Sequence, residues 1–211
     1  MDYLEATYYF DYESDEIQNI IKEFNTDTLT PKEKATRLYL KVRDNWWYDP
    51  YHISLTKDAY KASWTARKSS GHCLDKSILL IACLRGLGIP ARIHLAKVKN
   101  HIGVERLIEK FGTNELTPHG MVNVFLDGKW LKASPAFNKA LCEKCNVAPL
   151  EFDGEKDSMF QEFDNAGGIF MEYIEDYGHF EDLPFDFIMN NIKEHYAEIF
   201  QQYEGLTEIR L

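Results

Sequence analysis

Cys73 follows Ser69-Ser70-Gly71-His72 directly and opens the most apolar stretch of the chain. If that stretch is a helix, its first turn has backbone N–H groups without intrahelical partners and carries partial positive charge. Both favour thiolate over thiol, and thiolate is the nucleophile. The same N–H groups could hold the oxyanion formed when sulfur attacks a carbonyl. Gly71 would let a substrate backbone approach closely. A nucleophilic cysteine also needs a base within hydrogen-bond reach. His119 opens a β-prone run, His119 to Leu126, and Asp127-Gly128 separates it from a second run, Lys129 to Ala133. Asp-Gly between two such runs signals a two-residue hairpin. With that turn Ser134 faces Met121, and His119 shares a strand face with Met121. Ser134 is then a same-face diagonal neighbour of His119, roughly 7–8 Å away between backbones. That is where a partner orienting an imidazole would stand.

Other reactive side chains read more plainly. Cys83 lies mid-helix among aliphatics and is a small core residue. His72 adjoins Cys73, but neighbours at a helix start point apart, so it lines the cleft or faces solvent. Asp75 caps the helix or complements its dipole. Cys142-Glu143-Lys144-Cys145 is a lone Cys-x-x-Cys. Structural zinc takes four ligands, and no second pair or nearby histidine follows. The sequence therefore implies neither metal nor cofactor; a zinc or redox protein built on Cys142 and Cys145 is the weakest reading. Trp46, Trp47 and Trp64 read as core or cleft wall.

Several elements must position these residues. Glu16–Phe24 has helical spacing. Thr30-Pro31-Lys32-Glu33 is a helix start, with Thr as cap, Pro first and Glu third; Leu38, Val42 and Trp46 continue its apolar stripe. A polar, aromatic connection then runs to Ser70-Gly71. Leu74 to Leu87 is apolar around nearly its whole circumference, the pattern of a buried helix, and Gly88 and Pro90 mark its end. Ile89–Ala96 reads as a strand, Val104–Phe111 as a short helix, and Phe187–Tyr203 as a helix in an acidic, aromatic tail. A buried helix packed on an antiparallel sheet makes an α+β domain. We expect a core over residues 1–138 with an N-terminal helical part. Residues 139–211 form an extension packed on the same domain, able to cover or shape the cleft.

Composition sets the outer bounds. The 211 residues are 45% apolar and 27% charged, globular values that exclude disorder and fibres. The net charge of −10 argues against coating nucleic acid or anionic lipid. No apolar run reaches the ~18 residues of a membrane span, and the acidic start Met1-Asp2-Tyr3-Leu4-Glu5 does not read as a signal peptide. Four cysteines are too few for a disulfide scaffold. These features lead us to expect a soluble cytoplasmic protein, with no nucleic-acid or membrane partner.

Two ordered segments carry a resemblance. Gly71-His72-Cys73-Leu74-Asp75-Lys76-Ser77 and Leu84-Arg85-Gly86-Leu87-Gly88-Ile89-Pro90-Ala91-Arg92 resemble the cysteine segment of the transglutaminase-like superfamily. His119-Gly120-Met121-Val122-Asn123-Val124-Phe125 and Gly128-Lys129-Trp130-Leu131-Lys132-Ala133-Ser134-Pro135 are similar to its histidine and third-residue segments. The resemblance spans residues 33–138, about half the chain. It implies a papain-like, transglutaminase-like α+β core with a Cys-His-Asp triad acting on amide bonds of a peptide or protein. Cys73 matches the nucleophile and His119 the base. The family's third residue is usually an aspartate before a proline, and Ser134 stands there. A hydroxyl can accept the imidazole N–H but cannot neutralise an imidazolium; Asn138 or an acid elsewhere could substitute. The readings are thus a thiol amide hydrolase or acyltransferase, with hydrolysis favoured, or a binding or scaffold protein with weak or lost catalysis.

Overall fold

A computed structural model describes residues 3–203 and 205–211. Met1 and Asp2, which begin the acidic amino-terminal run, and Glu204 lie outside them. Helix α1 spans Asp15–Ile21, shorter than the expected Glu16–Phe24. Helix α2 spans Pro31–Asn45 and starts with a capping box: the Thr30 hydroxyl accepts from the Glu33 N–H, and the Glu33 carboxylate accepts from the Thr30 N–H. The aromatic connection that follows is structured. It holds strands β1 (Trp47–Tyr48) and β2 (His52–Ser54), a 3-10 turn (Lys57–Tyr60), helix α3 (Ala62–Ala66) and strand β3 (Ser70–Gly71).

Helix α4, Cys73–Gly86, is the centre of the core: every side chain from Cys73 to Arg85 is buried. Complete burial of each leucine or isoleucine there contributes about 1.5–3 kcal/mol. The two cations on this helix are buried because backbone carbonyls surround them. The Lys76 ammonium donates to the carbonyls of Arg43, Trp46 and Ala136 at 2.8, 2.8 and 2.7 Å. Arg85 donates to those of Ala91, Glu5 and Glu181.

Strand β4 runs Ala91–Asn100, past the expected Ala96, and helix α5 spans Glu105–Phe111. Strands β5 (Glu115–Leu126) and β6 (Lys129–Ala133) form the hairpin with the register read from the sequence, Val122 opposite Ala133. Its turn takes positive φ at both residues, 48° at Asp127 and 81° at Gly128. That is the primed turn that matches strand twist. Helix α6 follows at Lys139–Lys144.

Strand β7, Met171–Phe180, was not apparent from the sequence. It pairs with β4 and completes a four-stranded antiparallel sheet of order β6-β5-β4-β7. As an edge strand with two register shifts and an exposed run at Ile174, Glu175 and Asp176, it lacks the apolar alternation that signals a strand. The helical tail is two helices, α7 (Phe185–His195) and α8 (Ala197–Gln202), broken at Tyr196. Strand β8, Glu208–Arg210, returns to pair with β2. No helix among the described residues is long and apolar enough to cross a membrane.

Candidate active site

Cys73 is the first residue of α4 and is 7% exposed. His72 lines the cavity at Cys73, the first of its two expected places, and it also builds the helix start. The His72 ring is buried against Tyr60. Its Nδ1 accepts the N–H groups of Leu74 and Asp75, and the Asp75 carboxylate accepts the His72 N–H. Asp75 is thus a cap residue, as its position suggested. Gly71 is required by this box: a Cβ there would stand 2.7 Å from the Asp75 Cβ. Close approach at Gly71 therefore serves the cap.

Strand β5 crosses the first turn of α4 at Gly120. A Cβ at Gly120 would lie 2.8 Å from Leu74 Cδ2 and 3.1 Å from Leu74 Cα. With no side chain in the way, the Gly120 N–H comes near enough to the Cys73 thiol to favour its thiolate. His119, the residue before Gly120, pairs across the strand with Ala96 and is 2% exposed. Both ring nitrogens of His119 are buried without a hydrogen-bond partner. In this structure the imidazole is therefore bonded to neither the Cys73 thiol nor the Ser134 hydroxyl.

Ser134 lies one residue beyond the last β5–β6 pair, Val122 with Ala133, and its backbone is anchored on both sides. Its N–H donates to the Ser158 carbonyl, and its own carbonyl accepts the Tyr39 hydroxyl at 2.9 Å. Asn138, the other candidate third residue, uses its side-chain oxygen to accept the Tyr48 N–H at 3.2 Å. Asp176 stands opposite Ala96 on the far strand, but its carboxylate accepts from His94 Nε2 and the Gly178 N–H, both at 2.7 Å.

Burial controls the electrostatics. It pushes the Cys73 thiol up to about 11, against the pull of the N–H groups of Gly120, Leu74 and Cys73 itself. The thiolate expected from a helix start is thus outweighed by desolvation. Burial also lowers His119 to about 4. The resting pair is a neutral thiol and a neutral imidazole.

Cys73 opens onto a cavity of about 50 Å³, walled by Tyr48, Pro50, Leu116 and Pro118 and, from the C-terminal part, by Ile192 and Tyr196. Two side chains of the C-terminal part, Ile192 and Tyr196, thus form part of this cavity's wall. The Tyr196 hydroxyl accepts the Thr117 N–H and donates to the Glu115 carbonyl, fixing the ring over β5. Burial first, and the neighbouring Cys73 sulfur second, hold the Tyr48 hydroxyl far above its usual range. The sequence did not single out Tyr48 and Tyr196. The one available signal for Tyr48 was its place in an aromatic run, and its position comes from the pairing of β1 with β3, Tyr48 beside Gly71. Of the tryptophans, Trp46 is core, its indole N–H donating to the Thr65 carbonyl. Trp47 and Trp64 are 58% and 45% exposed and do not border the Cys73 cavity, contrary to the core-or-wall reading.

Cys83 is buried mid-helix, as read. Cys142 is buried and Cys145 half-buried, both as free thiols. Among the described residues no group of three or more His, Cys, Asp or Glu side chains could hold a metal ion.

Among curated protein sequences none matches the chain. The crystal structure of a "putative cysteine protease" from Cytophaga hutchinsonii is similar with a TM-score of 0.48 at 15% identity, covering 84% of this chain and 53% of that one. This chain thus spans about half the length of that protein. The profile of the transglutaminase-like superfamily matches residues 18–135, a stretch that includes Cys73, His119 and Ser134. With α4 packed on the antiparallel sheet as that fold requires, the chain belongs to the transglutaminase-like superfamily.

Proposed function

We propose that the protein is a cysteine-dependent amide hydrolase with Cys73 as nucleophile and His119 as base. The observation that supports this most is the state of His119. Two unpaired nitrogens in a buried ring cost about 1–3 kcal/mol each, and His119 directly precedes Gly120, whose N–H favours the Cys73 thiolate. A merely structural residue at this position would be better as leucine. The cost makes sense if a reacting group supplies the missing partner.

The Cys73 sulfur attacks an amide carbonyl, forming the S–C bond while its proton passes to His119. The Cys73 and Gly120 N–H groups, which favour negative charge on the sulfur, would receive the oxyanion; the Leu74 N–H is already taken by His72. His119 returns the proton to the nitrogen as the C–N bond breaks, and the amine leaves. Water then cleaves the thioester and regenerates the thiol. Hydrolysis is favoured over acyl transfer because the cavity walls are mostly apolar and aromatic, with His72 and Thr117 but no carboxylate among the residues that border it to hold an incoming ammonium.

A small activated ester tests this. With p-nitrophenyl acetate, the wild type should release nitrophenol in a burst, carry an acetyl group on Cys73 by peptide mass, and lose it to water. Added methylamine should leave the deacylation rate unchanged. Acetylation confined to other residues, or equal bursts from wild type and Cys73→Ala, would overturn the proposal; methylamide as the main product would make it a transferase. The alternative is a binding protein that retains the fold with lost catalysis. Ser134 in place of the family's aspartate favours it, and it predicts no burst.

A further inference from the structure

A second cavity, about 140 Å³, lies beside the one at Cys73 and shares Tyr48, Pro50 and Leu116 with it. Its remaining walls are mostly apolar, including Leu107, Phe137, Val147 and Phe170. The Tyr48 ring stands between the two spaces, packed edge-on against Phe137 with centroids 4.8 Å apart. An apolar cavity of about 150 Å³ holds one benzene molecule, so this one has room for a single ring or a branched aliphatic group. The smaller cavity at Cys73 suits a group the size of a carboxamide. Besides the hydroxyl-bearing rings of Tyr48 and Tyr51 and the thiols of Cys142 and Cys145, one amide borders the larger cavity: Asn100, 9% exposed, whose side-chain oxygen has no hydrogen-bond partner. That oxygen could accept a donor brought in with the occupant, such as a peptide N–H or a ring hydroxyl.

Resting on the nucleophile reading above, we propose that the cavity beyond Tyr48 is the subsite for a ring-sized apolar side chain flanking the scissile carbonyl. The substrates are then peptides or acylated amines bearing Phe-, Tyr- or Leu-like groups at that position. A charged side chain would be desolvated there without a counter-ion and is rejected. A methyl side chain leaves most of the cavity unfilled and forgoes its contacts.

Chloromethyl ketones of N-acetyl-phenylalanine, N-acetyl-alanine and N-acetyl-glutamate test this directly. Each places a different side chain beside an electrophile that alkylates sulfur, with chloride as leaving group. Rates of Cys73 alkylation are followed by intact mass and located by peptide map. The phenylalanine reagent should react at least tenfold faster than the alanine reagent, and the glutamate reagent slowest. Ile102→Trp and Leu141→Trp each direct an indole into the cavity from a half-buried wall position. In whichever of these variants keeps the wild-type circular dichroism, the phenylalanine-to-alanine ratio should fall towards one. Equal rates for the two reagents in the wild type, or a ratio unchanged in the folded variants, would overturn the subsite. If no reagent labels Cys73 faster in the wild type than in His119→Ala, the nucleophile reading itself fails, and the subsite proposal fails with it.

Discussion

Replacing Lys76 with methionine tests how the site is held together. The ammonium is fully buried and connects three separate parts of the chain. Arg43 contributes one of the last carbonyls of α2, which lack intrahelical partners. Trp46 leads into Tyr48, and Ala136 lies between Ser134 and Asn138. Methionine fills similar volume but leaves three carbonyls without a donor. At about 1–3 kcal/mol each, that is a gross loss of roughly 3–9 kcal/mol. Removing an ammonium that no longer needs desolvating returns several kcal/mol of it. The expected net loss is about 3 kcal/mol. Burial lowers the Lys76 amine to about 7, so the comparison belongs at pH 6, where the amine is charged. Urea unfolding followed by circular dichroism and tryptophan fluorescence gives the value, provided the two probes coincide. Cys73 should also alkylate faster in the variant, because Tyr48 loses its anchorage. A loss under 1 kcal/mol, or a gain, would show that desolvation dominates and that the three segments hold without this ammonium.

Other outcomes follow from the same contacts. The folded-state value of His119, about 4, lies below the ~6.5 of an unfolded chain. The unfolded state therefore binds the proton first, and stability falls as pH drops from about 6.5 to 4, by about 3 kcal/mol in all; His119→Leu should show a shallower acid decline in urea midpoints. Tyr196→Phe strands the Thr117 N–H and should cost about 1–2 kcal/mol while raising the rate of iodoacetamide alkylation of Cys73. His72→Ala removes the acceptor for two N–H groups at the start of α4 and should lower stability by about 1 kcal/mol, with His72→Asn recovering most of it in the same melts.

The sequence was most legible where local chemistry dictates structure. The Thr30 cap, the buried helix from Cys73, and the Asp127-Gly128 turn with its register are each decided within a few residues, and all three formed as read. Strand β7 was hidden because an exposed edge strand need not alternate. Tyr48 and Tyr196 were hidden because their place beside Cys73 depends on β1 meeting β3 and on α7 crossing β5. The helix-start N–H groups do favour the Cys73 thiolate, as read, but burial outweighs them. Spacing reveals a helix start, whereas the desolvation that outweighs it comes from side chains far away in sequence, Tyr196 among them. His72 lines the cleft as read, but its capping role was hidden because a ring nitrogen seldom serves as cap acceptor, and here it does.

The most direct test of the central claim is the rate of Cys73 acetylation by p-nitrophenyl acetate from pH 4 to 9, in wild type and His119→Ala. A positioned general base contributes typically 10²–10⁴-fold, and neutral imidazole is available at every pH above about 4. The account predicts a wild-type rate nearly flat down to about pH 5, falling as His119 protonates, and at least a hundredfold slower in the variant. Coincident rates in the two proteins, rising tenfold per pH unit towards the thiol value of about 11, would contradict it and leave Cys73 a lone buried thiol.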